Sequence, residues 1–398
     1  MSKDAKNVPA LRFKGYSDAW EKRKLLEISK TYSGLTYHPE DIRESGTFVI
    51  RSSNVQNGSI VTADDVYVSP DIVNSSNVLK GDVIVVVRNG SRNLIGKHAL
   101  MIRDMPNTVI GAFMTGIRSA HGPFINALLS TKDFQSEVRK SLGATINQIT
   151  IRDFKLMSFA VPNSQEVNSI GAIFGMLDNL IAATQHKIDA LEQVKETLSK
   201  NLFDQLWRFK EYSTSWKENK LKDIVSAYSG GTPSANIRTY YGGHIPFIRS
   251  AEIHSSTTAL TLTQEGLKNS SAKLVKTGDI LYALYGANSG DVDRSKINGA
   301  INQAILAMRP SKENDSNFIL FQLMRMKNKI VSTYLQGGQG NLSGRIILAL
   351  NLDMPESTSE QRTIGRSLQL LCELISINQS KYSQLESLKK SLLQNLFV

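Results

Sequence analysis

Two glycine-rich stretches, Gly90–His98 (GSRNLIGKH) and Gly337–Gly344 (GGQGNLSG), come nearest to phosphate chemistry in this chain. The first has one residue too many between its glycines for a phosphate loop, and it ends on His98 where Ser or Thr would hold Mg²⁺. The second has the wrong final spacing for a dinucleotide loop, and no acidic residue follows at about twenty residues in a Rossmann context. The six histidines show no H-x-x-x-H or similar ligand spacing, and carboxylate pairs such as Asp64–Asp65 read as solvated turns. These residues lead us to expect no catalytic centre and no metal site.

Other polar residues suit recognition better than catalysis. Arg can pair with two guanine acceptors, Asn and Gln with adenine, and Ser or backbone amides with phosphate. In the first half the candidates are Tyr32, Arg51, Ser52, Asn54, Arg88, Asn89, Arg92 and Asn93. In the second half they are Tyr228, Thr232, Arg249, Glu252, Tyr285, Asn288, Arg294, Asn302, Gln303, Gln339 and Asn341. Gly, Asn and Ser also serve turns, so any one residue is as well explained by loop geometry. Two matched sets in two basic segments favour duplex DNA.

The elements that hold these residues occur twice. ALRFKGYSDAW (10–20) returns as LWRFKEYSTSW (206–216), with Arg12, Tyr16 and Trp20 answered by Arg208, Tyr212 and Trp216. KTYSG returns as SAYSG, FVIRSSNV as PFIRSAEI, and LKGDVIVVVRNG as VKTGDILYALYG. The chain is a tandem duplication, which has to be recognised before any fold is assigned. Short apolar runs after Gly-Asp turns indicate strands. Each half then ends in a long helix. Leu177, Ile181, Thr184, Ile188, Leu191, Lys195, Leu198 and Leu202 follow a heptad seam, copied by Leu371, Ile375, Asn378, Tyr382, Leu385, Lys389, Leu392 and Leu396. PNSQE and PESTSEQ are fitting helix starts. The expected fold is α+β: two strand-rich domains, residues 1–162 and 207–355, alternating with helices at 163–206 and 356–398 that pair as an antiparallel coiled coil with pseudo-twofold symmetry.

Composition narrows the partners. The 398 residues carry a net charge of +11, with 47 Lys/Arg against 36 Asp/Glu. The helical blocks 165–206 and 356–398 hold 8 Lys/Arg against 10 Asp/Glu, so the basic excess lies in the two larger segments. Nucleic acid is therefore the leading partner. A single cysteine, Cys372, excludes an internal disulfide framework and fits a reducing cytoplasm. The N-terminus lacks an apolar export core, and no stretch reads as a membrane span.

The repeated LRFKGY/WRFKEY openings, GDILYALYG with NQAIL, and the NLF that closes each helix resemble the specificity subunits of type I restriction–modification systems. The first half departs from the usual pattern with GDVIVVVRNG and IGAFMTG. The resemblance implies that each domain recognises one half of a bipartite, asymmetric DNA target, and that the helices are a spacer between half-sites. It also implies docking of two methyltransferase subunits on those helices, with restriction subunits joining through the complex. Leu177, Ile181, Ile188, Leu191, Leu198, Leu371, Ile375, Tyr382, Leu385 and Leu392 are the candidate docking residues. S-adenosylmethionine and ATP with Mg²⁺ would belong to the partners, leaving this chain without cofactor or catalysis. A stand-alone regulator with two DNA-binding modules is the alternative.

Overall fold

The computed structural model describes residues 7–142, 147–335 and 341–398. The chain forms two compact units, Met1–Lys187 with Asn378–Val398, and Ile188–Ile377. Each long helix therefore gives one end to one unit and its other end to the other.

The continuous apolar runs become strands buried on both faces. In the first unit, Val83–Val86 lies inside a four-stranded sheet ordered Lys30–Ser33, Met114–Arg118, Val83–Val86, His98–Leu100. Val83 and Val85 face a core with Phe124, Phe134, Phe154 and Phe174, whereas Ile84 and Val86 face Phe48, Ile50 and Ile110 of a second four-stranded sheet. The second unit repeats the scheme. Ile280 and Tyr282 of the strand Ile280–Ala283 join the helix-side core with Phe203 and Phe318, and Leu281 and Ala283 join Ile248 and Ile301. In each unit the second sheet contains one parallel pair: Thr47–Ile50 with Thr108–Ile110, and Tyr241–Ile248 with Gly299–Ile301.

The long helices are Ser164–Phe203 and Thr358–Asn395, with 40 and 38 residues. Every heptad-seam residue is buried or half-buried, including the polar Thr184 and Asn378. In the first unit the two helices run antiparallel: Phe174 packs on Phe397, and one turn along Asp178 pairs with Lys389 at 2.7 Å. In the second unit Leu202 and Phe203 share a core with Ile364 and Leu368. The sequence reading gives Leu177, Ile181, Ile188, Leu191, Leu198, Leu371, Ile375, Tyr382, Leu385 and Leu392 to partner docking. Of these, Leu177, Ile188 and Ile375 are buried within the chain and the other seven are half-buried, as a 4–3 apolar stripe on paired helices requires. A correction concerns apolar length. The first helix contains an 18-residue window of mean hydropathy 1.3, long and apolar enough by composition to cross a membrane, with 33% of it buried inside the protein.

The repeated openings are clasps onto the helix starts. Arg12 donates from Nε and Nη2 to the two carboxylate oxygens of Glu166, both at 2.8 Å. Arg208 does the same to Glu360 at 2.8 and 2.9 Å. Each glutamate stands in the first turn of its helix, where the dipole favours an anion. The side chain of Glu166 is only 1% exposed, so it needs that cation. Tyr16 bonds Ser169, and Tyr212 bonds Ser359 and Thr363. Leu11 N–H donates to Asn395 O at the end of the second helix, as Trp207 N–H donates to Asn201 O near the end of the first. The two opening segments thus meet the helix ends in equivalent ways.

Removing one partner of a buried, bidentate pair should cost about 3–5 kcal/mol. Glu166→Ala is expected to lower the urea midpoint of the first unit by a corresponding amount. Lys140→Ala, which breaks the exposed Lys140–Glu137 pair, should cost at most about 1 kcal/mol.

Candidate nucleic-acid interface

Backbone register gathers most of the candidate residues at one end of each unit's sheets. In the first unit Ser33 lies beside Thr115 and Val86 beside Met114, so the loops after Ser33 and Val86 leave next to the turn before Met114. The parallel pair ends with Ile50 beside Ile110, sending Arg51 and Gly111 out together. In the second unit Ser229 lies beside Leu306, Ala283 beside Ile305 and Ile248 beside Ile301. That places Thr232, Arg249, Tyr285, Asn302 and Gln303 at the equivalent end. The shared YSG motif has a steric reason. A Cβ on Gly34 would collide with the Gly111 carbonyl, and one on Gly230 with the Ile301 carbonyl, so the strands cross only at glycine.

At the first loop end, Asn89 Nδ2 donates to Ser52 Oγ at 3.1 Å, tying two candidate loops together. Arg51 donates to the Asp64 carbonyl, and its own N–H donates to Asn54 Oδ1. Arg88 is exposed and stands 5.1 Å over the Phe113 ring. Arg92 donates to Asn147 Oδ1 at 2.8 Å, and with the exposed Asn93 it borders an open cleft of about 960 Å³ that also meets Lys97, Arg139 and Lys389. Asn54 is different. It is fully buried and bonds Val61 O, Ala63 O and Asp65, so it orders the loop and faces no ligand.

At the second loop end, Thr232 Oγ1 donates to Gln303 Oε1 at 2.7 Å, and both residues are exposed. Gly230 N–H donates to Asn302 O at 3.2 Å. Arg249 is held by both oxygens of Glu252, at 3.1 and 3.0 Å, and the same carboxylate accepts Ala259 N–H. Burial would raise the Glu252 pKa, but these bonds outweigh it and hold the carboxylate below its usual range. Tyr285 pairs by a backbone bridge with the exposed Asn341, and Asn288 is half-buried in the loop that follows. Gln339 lies outside the described residues.

Three candidates belong to the opposite end or to the sheet face. Arg294 sits beside Ile280 at the far end and donates to Gly278 O and Asn317 Oδ1. The Tyr32 hydroxyl reaches away from the loops to Asp82 at 2.8 Å, with Arg118 stacked 5.0 Å over its ring. Tyr228 bonds Leu274 O and carries Arg309 at 5.5 Å. These tyrosines frame a duplicated clamp that the sequence reading missed. Arg118 grips Asp82 at 2.8 and 2.7 Å, and Arg309 grips Asp279 at 2.8 and 2.6 Å. Each aspartate also caps its own turn, accepting Leu79 N–H or Lys276 N–H, behind a glycine at φ 91° or 94°. The signal was present as the repeated Gly-Asp, which requires both a left-handed glycine and a capping carboxylate.

A family model of the type I restriction modification DNA specificity domain matches residues 17–193 and again 214–387. The chain belongs to that family. Among its relatives, the putative type I restriction enzyme MjaX specificity subunit of Methanocaldococcus jannaschii is 24% identical over 271 residues, 64% of this chain and 60% of that protein. The type I restriction enzyme EcoKI specificity subunit of Escherichia coli K12 is 22% identical over 291 residues, 67% of this chain and 62% of that protein. The StySPI specificity subunit of Salmonella potsdam is 26% identical over 193 residues, 46% of this chain and 41% of that protein. The matches thus span less than two thirds of these relatives. The crystal structure of a type I restriction-modification system S subunit from M. genitalium shares the fold, with a TM-score of 0.73 at 17% identity over 98% of this chain and 99% of that one. Two copies of this domain, each running into a long helix, account for the duplication. Among the described residues no group of three His, Cys, Asp or Glu could hold a metal ion.

The clamp makes a pH prediction. The Asp279 carboxylate is partly desolvated, which raises its pKa, but Arg309 and Lys276 N–H lower it below the ordinary 3.8. A depressed folded pKa contributes stability that is present above 3.8 and lost as pH falls through the folded value. Asp279→Asn should flatten that acid limb of the stability curve, measured by urea unfolding from pH 5 downwards.

Proposed function

We propose that the chain is the DNA-reading, non-catalytic subunit of a type I restriction–modification complex. Each domain reads one half of a bipartite, asymmetric duplex target. The observation that carries this is one frame bearing two different sets of loop residues. Both loop ends are built on the same glycine crossing, parallel strand pair and clamp. One turn then presents Gly111-Ala112-Phe113, and the equivalent turn Asn302-Gln303-Ala304. A shared scaffold with divergent tips suits two different half-sites, and the basic excess supplies attraction to phosphate.

The helices support docking of two methyltransferase subunits. Outside the covered seam, the first unit exposes Met176, Leu180 and Leu388, and the second exposes Leu370, Leu374, Ile377 and Val194. Met176, Leu180 and Val194 match Leu370, Leu374 and Leu388 at the repeat offset of 194. Each unit therefore offers a matched apolar trio, with Ile377 in addition on the second where the first has Ala183, fitting one copy of a single partner. S-adenosylmethionine, and ATP with Mg²⁺ for the restriction subunits, would be bound by the partners, and the assembly would work in the cytoplasm.

The test is co-expression with the methyltransferase subunits, followed by mass measurement and DNA titration. The complex should contain two methyltransferase copies and bind its methylome-derived target above a scrambled duplex. Met176→Glu or Leu370→Glu should each remove one copy. Gln303→Ala should relax one position of one half-site by about 1–3 kcal/mol. Binding without sequence preference, or full assembly of the double variant, would contradict the reading.

A further inference from the structure

Phe113 is a large aromatic with 52% of its surface exposed, at the tip of a loop that should be polar. The tip is not loose. Met114 N–H closes the turn onto Gly111 O at 2.9 Å, Gly111 N–H donates to Ile50 O at 2.9 Å, and the Phe113 carbonyl accepts Val87 and Arg88 N–H at 3.0 and 3.2 Å. The Arg88 guanidinium lies 5.1 Å from the ring centroid. Stacking uses the face of a guanidinium and leaves its N–H edges directed elsewhere. A rigid apolar ring and a cation in one layer thus stand at the loop end beside Arg51 and Asn89. Thymine offers the one methyl group in the major groove, and guanine offers paired acceptors for Arg.

We propose that Arg88 and Phe113 are a joint specificity pair in the first domain: Arg88 donates to guanine O6 and N7 while the Phe113 ring packs on the 5-methyl group of a neighbouring thymine. The inference rests on the reading of the chain as a DNA-specificity subunit. The second domain has no equivalent, since its turn carries Asn302, Gln303 and the buried Ala304. It would read by amide hydrogen bonds.

The experiment uses the full chain assembled with its methyltransferase subunits and the target duplex found by methylome sequencing. Each thymine is replaced in turn by deoxyuridine, which removes only the methyl group. One position, next to a guanine in one half-site, should lose about fourfold in affinity, the worth of one buried methyl. Phe113→Ala should weaken binding by about fivefold to tenfold and no longer distinguish thymine from uracil there. Phe113→Leu, which keeps an apolar contact, should retain part of that distinction at an unchanged melting temperature. The proposal is overturned if the wild-type complex binds its target yet no thymine is sensitive, or if Phe113→Ala keeps the sensitivity. It also falls if that variant loses a methyltransferase subunit with DNA affinity unchanged, because Phe113 would then be a protein contact. Failure of the wild-type complex to prefer any duplex would instead remove the underlying reading.

Discussion

A buried carboxylate at the start of a helix is the constraint on which this architecture turns. Glu166 and Glu360 sit buried in first turns, and each is tolerable there only with a guanidinium gripping both oxygens. The arginine comes from the segment that opens the same half, 154 or 152 residues earlier. One interaction therefore closes each domain onto its helix and fixes where the first strand begins. Repeated, it makes two like units from one chain. The repeats differ in detail: Trp216 Nε1 adds a bond to Glu360, whereas Trp20 turns its ring edge-on to Phe397 and its Nε1 has no partner among the described residues.

The same economy governs the loop ends. Gly34 and Gly230 let strands cross where any side chain would collide, and Asp82 and Asp279 close the far end with arginine clamps. Conformation is fixed by the frame, which leaves the tips free to differ. The contrast between Phe113 and Gln303 at matched turns is the consequence: backbone geometry is shared while chemistry is not. The proposed reading of bases would need this separation, because a reader must be held rigidly without being consumed by its own scaffold.

Much of this was visible in the sequence. The duplication, the apolar strand runs and the heptad seam follow from periodicity, and each seam residue is buried or half-buried as that pattern requires. Individual roles were harder to read. Asn54 and Asn89 are chemically identical loop residues, yet one is fully buried and orders its loop while the other joins two loops. Tyr32 and Tyr228 look like loop aromatics because YSG precedes a turn, but their rings lie on the sheet and their hydroxyls serve the framework. Arg118 and Arg309 resemble strand ends until the fold brings Asp82 and Asp279 to them. A heptad marks the face that two helices turn toward each other and says nothing of the outer one, so Met176, Leu180 and their counterparts carry no signal in the seam pattern.

The central claim is that two domains on one frame read two half-sites independently. The direct measurement is methylome sequencing of a host carrying the system, before and after residues 16–160 are replaced by the matching domain of a relative. The account predicts that one half of the methylated target changes and the other half stays as it was. A change in both halves, or in neither while the protein remains folded and assembled, would contradict it.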